Sequence, residues 1–403
     1  MNSFWLLLLL PLAAGAGWLA AVRTLMPDTD DDDDFDEQQA RLSKHYLQGL
    51  SYLLNEESDK AIDVFIKMVE VDSDTVETHL ALGNLFRKRG EIERATRIHQ
   101  NLIARPNLAT TYRIQALFAL ANDYFSAGLL DRAEKLFLEL IEQGEYQHKS
   151  LLNLLDIYEQ EKEWEKAIGI AQKIKSDQSI AIAHYYCELA EEQGKHQHFS
   201  QAAMYLRKAF TYDHACVRAS LLLAKVEMEL GRYKQAIRSL KRIRTQNVAF
   251  FSEAILPLSA AYQALGKGKE MFLYFRNVLE AFPNIPIAIL LSERIRQWRG
   301  DKVAADFVAS YVRKHPSIVG LHHLVKMYLP ITENEKAKND LRILSALTEK
   351  LIAKTPLYQC SSCGFSGKTL HWQCPGCKKW SVTKPTCALE EERVDNDLLS
   401  RKF

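Results

Sequence analysis

The chain has 403 residues, more than one ordinary hydrophobic core accommodates, so we expect several domains or a repeat array. Its 52 basic and 51 acidic residues give a formal net charge of +1. This balance, without an aromatic-rich basic patch, argues against nucleic-acid binding as the main role. The cysteine count is seven, and an odd number favours a reducing compartment over secretion.

An uncharged apolar run lies at the amino end. Phe4–Val22 has nineteen residues, which as a helix would span roughly 28 Å, close to the thickness of a bilayer core. A cleaved signal peptide is the alternative, because Ala14–Ala16 resembles a cleavage site, but no basic residue precedes the run. We predict a transmembrane anchor at residues 1–23. Arg23 and Arg41 follow the span, which places the body of the protein in the cytoplasm.

An aspartate-rich block, PDTDDDDDFDEQQ, follows the anchor. Like charges in such a run repel one another and keep it extended and solvated, so residues 24–41 are predicted to be a linker. A calcium loop is the alternative, but the run lacks the glycine and the terminal glutamate of a shaped calcium-binding loop.

Residues 42–320 show paired helical patterns with a recurring motif: a small residue, an aromatic or apolar residue three positions later, and an alanine nine positions after that. The alanine-like position recurs at Ala61, Ala95, Ala133, Ala167, Ala202, Ala236, Met271 and Ala305. The successive gaps are 34, 38, 34, 35, 34, 35 and 34 residues, and a period near 34 resembles the tetratricopeptide repeat. We therefore predict an all-α tetratricopeptide-repeat superhelix with a concave groove, and degenerate terminal helices at residues 321–355.

Two further predictions concern the turns between the helices and the absence of a catalytic pattern. Glycines fall between the two helices of several repeats, where a left-handed cap is needed; they are Gly90, Gly128, Gly231 and Gly266. No nucleophile, base and orienting residue follow a recognisable catalytic pattern, so we predict that the protein is not an enzyme.

Four cysteines near the carboxyl end form the motif C-x2-C-x10-C-x2-C, and they are Cys360, Cys363, Cys374 and Cys377. Four thiolates at this spacing predict one tetrahedral metal ion per chain, iron or zinc, with a structural role because no coordination position stays open. Gly364 is expected to take a positive φ, and Pro375 with Gly376 to turn the second pair. Two disulfides and an iron electron-transfer site are the alternatives. We assign this metal-binding domain to residues 356–386 and leave the tail, 387–403, without a role.

The segment YQCSSCGF…CPGCKKW resembles a rubredoxin-type metal knuckle. The order of anchor, tetratricopeptide array and knuckle resembles the lipopolysaccharide assembly protein B family of Gram-negative bacteria. The resemblance is sharpest in HLALGNLFRKRGEIERATRIHQ (79–100), IAHYYCELA (182–190) and CSSCGFSGKTLHWQCPGCKKWSVTKP (360–385).

This resemblance implies an inner-membrane protein facing the cytoplasm. It implies an adaptor that promotes degradation of the deacetylase committing the cell to lipid A synthesis, by a membrane-anchored AAA+ metalloprotease. It also implies a link to the lipopolysaccharide assembly and transport proteins, and makes the four cysteines the metal ligands. A tetratricopeptide scaffold for another client and an iron-dependent electron carrier remain the alternatives. We expect the knuckle either to cap the last helices of the array or to offer a contact face.

Overall fold

The computed structural model of the protein describes residues 47–49, 51–52, 57–71 and 76–386. The predicted anchor (1–23), the aspartate-rich linker (24–41) and the tail (387–403) lie outside the described residues. Within these described ranges, no helix combines the length and the apolar character needed to cross a bilayer. The single membrane pass therefore stays a prediction.

The chain divides into two compact units, Met1–Ile157 and Tyr158–Phe403. The first unit holds α1 (Ser58–Val71), α2 (Val76–Arg89), α3 (Ile92–Ile103), α4 (Thr110–Ser126), α5 (Leu130–Glu142) and most of α6 (Gln147–Glu161), which continues past Ile157. From α1 to α5, each helix packs mainly against its neighbour in the sequence.

The second unit continues the paired helices. A short 3-10 helix, Val248–Phe250, precedes α12. The helices are α7 (Trp164–Ala171), α8 (Ser179–Lys195), α9 (Phe199–Tyr212), α10 (Val217–Glu229), α11 (Tyr233–Gln246), α12 (Phe251–Ala264), α13 (Gly268–Ala281), α14 (Ile285–Arg299), α15 (Asp301–Lys314), α16 (Ile318–Tyr328) and α17 (Glu335–Lys354).

The alanine-like positions of the repeat motif lie where the two helices of a repeat meet. All eight of these residues, Ala61 through Ala305, are 0% exposed. The small residues of the motif are required because the two helices of a repeat approach each other closely there. A Cβ on Gly83 would lie 2.4 Å from His99 Nε2. His99 is itself buried, and its Nδ1 lies 2.5 Å from Oδ2 of Asp123. The sequence motif is therefore a packing motif.

The turn between the helices of a repeat follows one geometry. Gly90 has a φ of 88°, and the backbone N–H of Glu91 donates to the carbonyl of Phe86 at 2.8 Å, which closes the first helix. The other predicted turn glycines also have positive φ; they are Gly128, Gly231 and Gly266. Lys162 and Gln197 adopt the same left-handed conformation without being glycine, with φ values of 59° and 61°.

A cation–π contact recurs within the repeats. In each case a basic residue on the second helix lies over the aromatic ring eight residues earlier, on the first helix. The pairs and their distances to the ring centroid are Tyr52–Lys60 (5.6 Å), Phe86–Arg94 (5.4 Å), Tyr124–Arg132 (5.7 Å) and Tyr158–Lys166 (5.1 Å). Each contact ties the two helices of one repeat together at the surface.

The knuckle adds a small sheet to the helical array, which the prediction of an all-α class did not include. Its strands are β1 (Tyr358–Cys360), β2 (Ser366–Gly367) and β3 (Thr383–Pro385), in the order β2-β1-β3 with both pairings antiparallel. In register, Gln359 lies opposite both Ser366 and Lys384. The sheet arises because the chain on either side of a cysteine turn runs back on itself.

Candidate metal centre and its docking surface

The first cysteine pair lies in a tight turn between β1 and β2. The Cys360 N–H donates to the Phe365 carbonyl at 2.7 Å, and the Gly364 N–H donates to the Cys360 carbonyl at 3.1 Å. Gly364 has a φ of 77°, as the sequence predicted. This turn directs the sulfurs of Cys360 and Cys363 to the same side of the backbone.

The second pair repeats this turn almost bond for bond. The Cys374 N–H donates to the Lys379 carbonyl at 2.9 Å, and the Lys378 N–H donates to the Cys374 carbonyl at 2.9 Å. Lys378, with a φ of 59°, takes the place that Gly364 has in the first turn. Gly376 serves a different purpose, because a Cβ there would lie 3.2 Å from Cys363 Sγ. The glycine at this position therefore leaves room for a sulfur of the other pair.

The four sulfur atoms converge on one point. All four lie within 4.8 Å of one another, with Cys363 to Cys374 at 3.6 Å and Cys360 to Cys377 at 3.8 Å. Tetrahedral ligands with metal–sulfur bonds of about 2.3 Å stand roughly 3.8 Å apart, so the spacing fits one metal ion. A disulfide requires about 2.0 Å, and these cysteines are free. The geometry fits a metal centre and not two disulfides.

Backbone donors prepare one of these thiols for a metal. Burial by itself raises the pKa of Cys360, but the backbone N–H groups of Cys363 and Ser362 point at its sulfur and lower the pKa to about 6. Because the thiolate is the form that binds metal, the turn favours the ligating form near neutral pH.

The knuckle lies against helices of the second unit that are some 200 residues away in sequence. Trp380 Nε1 donates to Glu159 Oε1 at 3.0 Å, and Gln373 Nε2 donates to Glu159 Oε2 at 2.8 Å. The Tyr185 hydroxyl also donates to Oε1 of this carboxylate. One carboxylate on α6 therefore accepts two hydrogen bonds from the knuckle and one from α8.

Aromatic contacts surround this carboxylate. The Trp380 ring stacks on His184 with centroids 4.9 Å apart and meets Trp164 and Tyr185 edge-on at 6.4 and 5.9 Å. Trp372 stacks on Phe250 at 5.4 Å. We call the array side of these contacts the docking surface, and it consists of Glu159, Trp164, His184, Tyr185, Phe250 and Glu253.

Two more polar contacts complete the docking surface. The Tyr358 hydroxyl donates to Glu253 Oε1 at 2.7 Å, and His184 Nε2 lies 2.6 Å from the Ser381 hydroxyl. Burial lowers the pKa of His184 to about 3, with a smaller contribution from the charge of Arg218. His184 is therefore neutral near pH 7, which suits a ring stacked beneath Trp380.

The structure brings together the four predicted cysteines. Two cysteines outside the knuckle, Cys187 and Cys216, are buried in the helical array at 0% and 3% exposure. Sequence reasoning did not identify Glu159, His184 or Glu253 as functional. His184 interrupts the apolar run IAHYYC, which is a detectable signal, whereas Glu159 and Glu253 look like ordinary surface carboxylates. The knuckle contacts α6, α8 and α12, so the expectation that it caps the last helices of the array was wrong. A contact face for partners stays a prediction.

Family comparisons identify both parts of this architecture. A family model described as a rubredoxin metal binding domain matches residues 358–383. Tetratricopeptide repeat models match residues 78–110, 118–179 and 195–268. These matches confirm the predicted type of repeat and the predicted type of knuckle.

Whole-chain relatives carry one name, lipopolysaccharide assembly protein B. The relative from Escherichia coli K12 is 36% identical over 389 residues, covering 96% of this chain and 98% of the relative. The relative from Haemophilus influenzae is 33% identical over 392 residues, covering 94% of this chain and 97% of the relative. Both alignments extend over nearly the full length of each protein.

Solved helical-repeat structures are also similar, at lower identity. The complex of the yeast Sti1 TPR2AB domain with pHSP90 is 16% identical, covers 57% of this chain and 99% of that chain, and gives a TM-score of 0.27. A crystal structure of MamA is 19% identical, covers 52% of this chain and 92% of that chain, and gives 0.23. At these TM-scores, the likeness supports no argument about geometry.

Proposed function

Since this chain belongs to the lipopolysaccharide assembly protein B family, we propose that it is a non-enzymatic adaptor in lipopolysaccharide assembly. The observation that supports this role most directly is the alignment with family members over more than nine-tenths of the chain. In the proposal, residues 42–320 form the protein-binding array, 321–355 close it, and 356–386 form the metal-binding domain.

The adaptor works at the inner membrane with its body in the cytoplasm. We infer this location from the uncharged run Phe4–Val22, which is long enough for one pass and is followed by basic residues. An anchor confines the array to a thin layer beside the membrane, which raises its effective concentration toward other membrane-bound proteins. Residues 24–41 act as a solvated spacer between anchor and array.

The adaptor brings the deacetylase that commits the cell to lipid A synthesis to a membrane-anchored AAA+ metalloprotease, and also contacts lipopolysaccharide assembly and transport proteins. This mechanism needs no turnover by the chain itself. It needs a rigid array with binding surfaces and a fixed position relative to the membrane. Stacked helix pairs provide such rigidity, since each repeat is held by its neighbours.

The knuckle acts as a metal-held part of the binding surface. In the proposal, Cys360, Cys363, Cys374 and Cys377 hold one iron or zinc ion, and the ion supplies the folding energy of a domain too small to have its own core. The contacts of Trp380 and Gln373 with Glu159 then fix the knuckle on the array. Loss of the metal would remove both the domain and the surface that it builds.

The central experiment measures the half-life of the deacetylase in cells depleted of this protein. We expect the half-life to lengthen, to be restored by the natural chain, and to stay long with Cys363→Ser. Ser362→Ala is the matched control, because it alters the neighbouring side chain without removing a sulfur. An unchanged half-life on depletion would refute the degradation role and favour a scaffold for another client.

The metal is tested on purified protein. Elemental analysis should give about one iron or zinc ion per chain, and Cys363→Ser should lose it while the helical circular dichroism signal of the array remains. Less than half an ion per chain in the natural protein contradicts the metal proposal. Bound iron with a reversible reduction potential would favour the electron-carrier alternative.

A further inference from the structure

The last helix that the structure describes, α17, has one packed face and one apolar face that is exposed. Leu341, Ser345, Thr348 and Ile352 recur every three or four residues and are at least partly buried. Thr348 is 4% exposed, and its hydroxyl lies 2.8 Å from His322 Nδ1 on α16. This inner face attaches α17 to the array.

A second face of the same helix points away from the packed one. Ile343, Leu344, Leu347 and Leu351 are 53%, 38%, 54% and 52% exposed. At ~100° per residue, their mean direction is about 115° from that of the packed face. We call these four residues the outward face of α17.

Such a face is unusual at the end of a repeat array. In repeat arrays, the outer side of the terminal helix is normally polar because the array must stay soluble, and no further repeat follows α17 within residues 355–386. Four aligned aliphatic side chains at half exposure instead form a contiguous apolar stripe, which indicates a surface that another segment covers.

We propose that residues 387–403 of the same chain bind the outward face of α17. The connection brings this tail to the correct place. The Thr386 N–H donates to the Leu357 carbonyl at 3.0 Å, and its hydroxyl donates to the Pro356 carbonyl at 3.0 Å. The chain therefore leaves the knuckle just beyond the carboxyl end of α17, beside the half-exposed Leu357.

The length of the tail is sufficient. The outward face runs from Leu351 back to Ile343, which is about 12 Å along the helix axis. Seventeen residues follow Thr386. Even if fully helical they would reach roughly 25 Å, so the tail can pass along the whole outward face.

The tail sequence complements this face in apolar pattern and in charge. Val394, Leu398, Leu399 and Phe403 are spaced so that they fall within one half of a helical wheel. The tail carries acidic residues at Glu390, Glu391, Glu392, Asp395 and Asp397. On α17, the exposed side chains flanking the outward face are mainly basic: Lys336, Lys350 and Lys354, against one acid, Asp340.

The same charges disfavour a second copy of α17 as the occupant. Two outward faces packed antiparallel would place Lys336 of one chain near Lys350 and Lys354 of the other. Like charges at such spacing are destabilising. The acidic tail removes this repulsion, which is why we commit to it.

The test is photo-crosslinking of the full chain in detergent micelles, with p-benzoylphenylalanine in place of Leu347. We expect a product that joins position 347 to a peptide from residues 387–403. Mixing isotope-labelled and unlabelled protein identifies the chain of origin, and we expect no mixed pairs. The same probe in place of Leu273, which is 49% exposed on α13, is the control and should give no product with the tail.

A charge exchange provides the second arm. Lys350→Glu with Lys354→Glu should reduce the crosslink to the tail at least fivefold, and adding Glu390→Lys with Glu391→Lys should restore it. Crosslinks to a second chain would overturn the proposal in favour of self-association. Crosslinks only to detergent or added phospholipid would overturn it in favour of a membrane contact, and equal tail crosslinking from position 273 would show that the contact is nonspecific.

Discussion

Glu159→Ala should release the knuckle from the docking surface. The substitution removes the acceptor for Trp380 Nε1 and Gln373 Nε2, the two hydrogen bonds that join the knuckle to α6. A hydrogen bond to a charged group contributes about 1.5–3 kcal/mol. Because Glu159 is only partly buried, we take the lower part of that range, about 3–4 kcal/mol for the pair. The opening constant of the knuckle should therefore rise roughly 140- to 700-fold.

The assay is hydroxyl-radical oxidation of tryptophan side chains along a urea titration, read by mass spectrometry. Oxidation of Trp380 and Trp372 reports undocking, and the half-exposed Trp298 is the internal reference. The control variant is Glu165→Ala, which removes only a long hydrogen bond from the Tyr205 hydroxyl at 3.4 Å and touches no residue of the knuckle. If Glu159→Ala changes the free energy of opening by less than about 0.5 kcal/mol, within the range of ordinary surface substitutions, the carboxylate does not hold the knuckle.

Three further outcomes test the centre and its surroundings. Gly376→Ala should weaken metal retention against a chelator by at least tenfold, because the added Cβ meets Cys363 Sγ at 3.2 Å; unchanged retention would contradict that close approach. Lys378→Gly should stabilise the metal-bound knuckle by about 0.5–1 kcal/mol in the same competition, since glycine adopts a φ of 59° without strain, and a loss of stability would count against the turn geometry. The pKa of His184 is about 3 in the folded protein, below the ordinary 6.5, so stability is intact above pH 6.5 and falls as pH decreases toward 3, by about 1.4 kcal/mol per unit. At pH 5 the loss is about 2 kcal/mol, and urea midpoints at pH 7 and 5 should show a smaller difference for His184→Gln; an equal difference would contradict a buried neutral histidine.

The sequence was informative wherever one residue type satisfies a local need. The alanine positions could be predicted because closely packed helices favour a small residue at the contact, and all eight positions are fully buried, including Met271, which replaces alanine in one repeat. Gly364 could be predicted because a cysteine turn needs a left-handed residue, and its φ is 77°. In both cases, the residues that impose the requirement lie within about forty positions of the predicted residue.

The remainder depended on contacts that no local pattern records. Lys378 takes the conformation of Gly364 without being glycine, because the surrounding hydrogen bonds impose it. His99 is a polar residue four positions after Ala95, yet it is fully buried against the Asp123 carboxylate. Glu159 resembles any exposed helical glutamate until Trp380, 221 residues later, meets it. Residues so far apart in sequence can be recognised as partners only in the folded structure, where the helical array brings them into contact.

The long sequence separation of the docking contacts also has a consequence in time. Glu159 leaves the ribosome 221 residues before Trp380. At roughly 5–20 residues per second, synthesis of that interval takes about 11–44 s. The repeats, whose contacts are mainly between neighbours, can form during this delay, while the stacked face of His184 and the Glu159 carboxylate stay open to other ligands. The knuckle can therefore cover the docking surface only when synthesis of the chain is nearly complete. A polypeptide interrupted anywhere before Trp380 would keep this aromatic, acidic surface exposed, and chaperones and proteases can distinguish it from the finished protein.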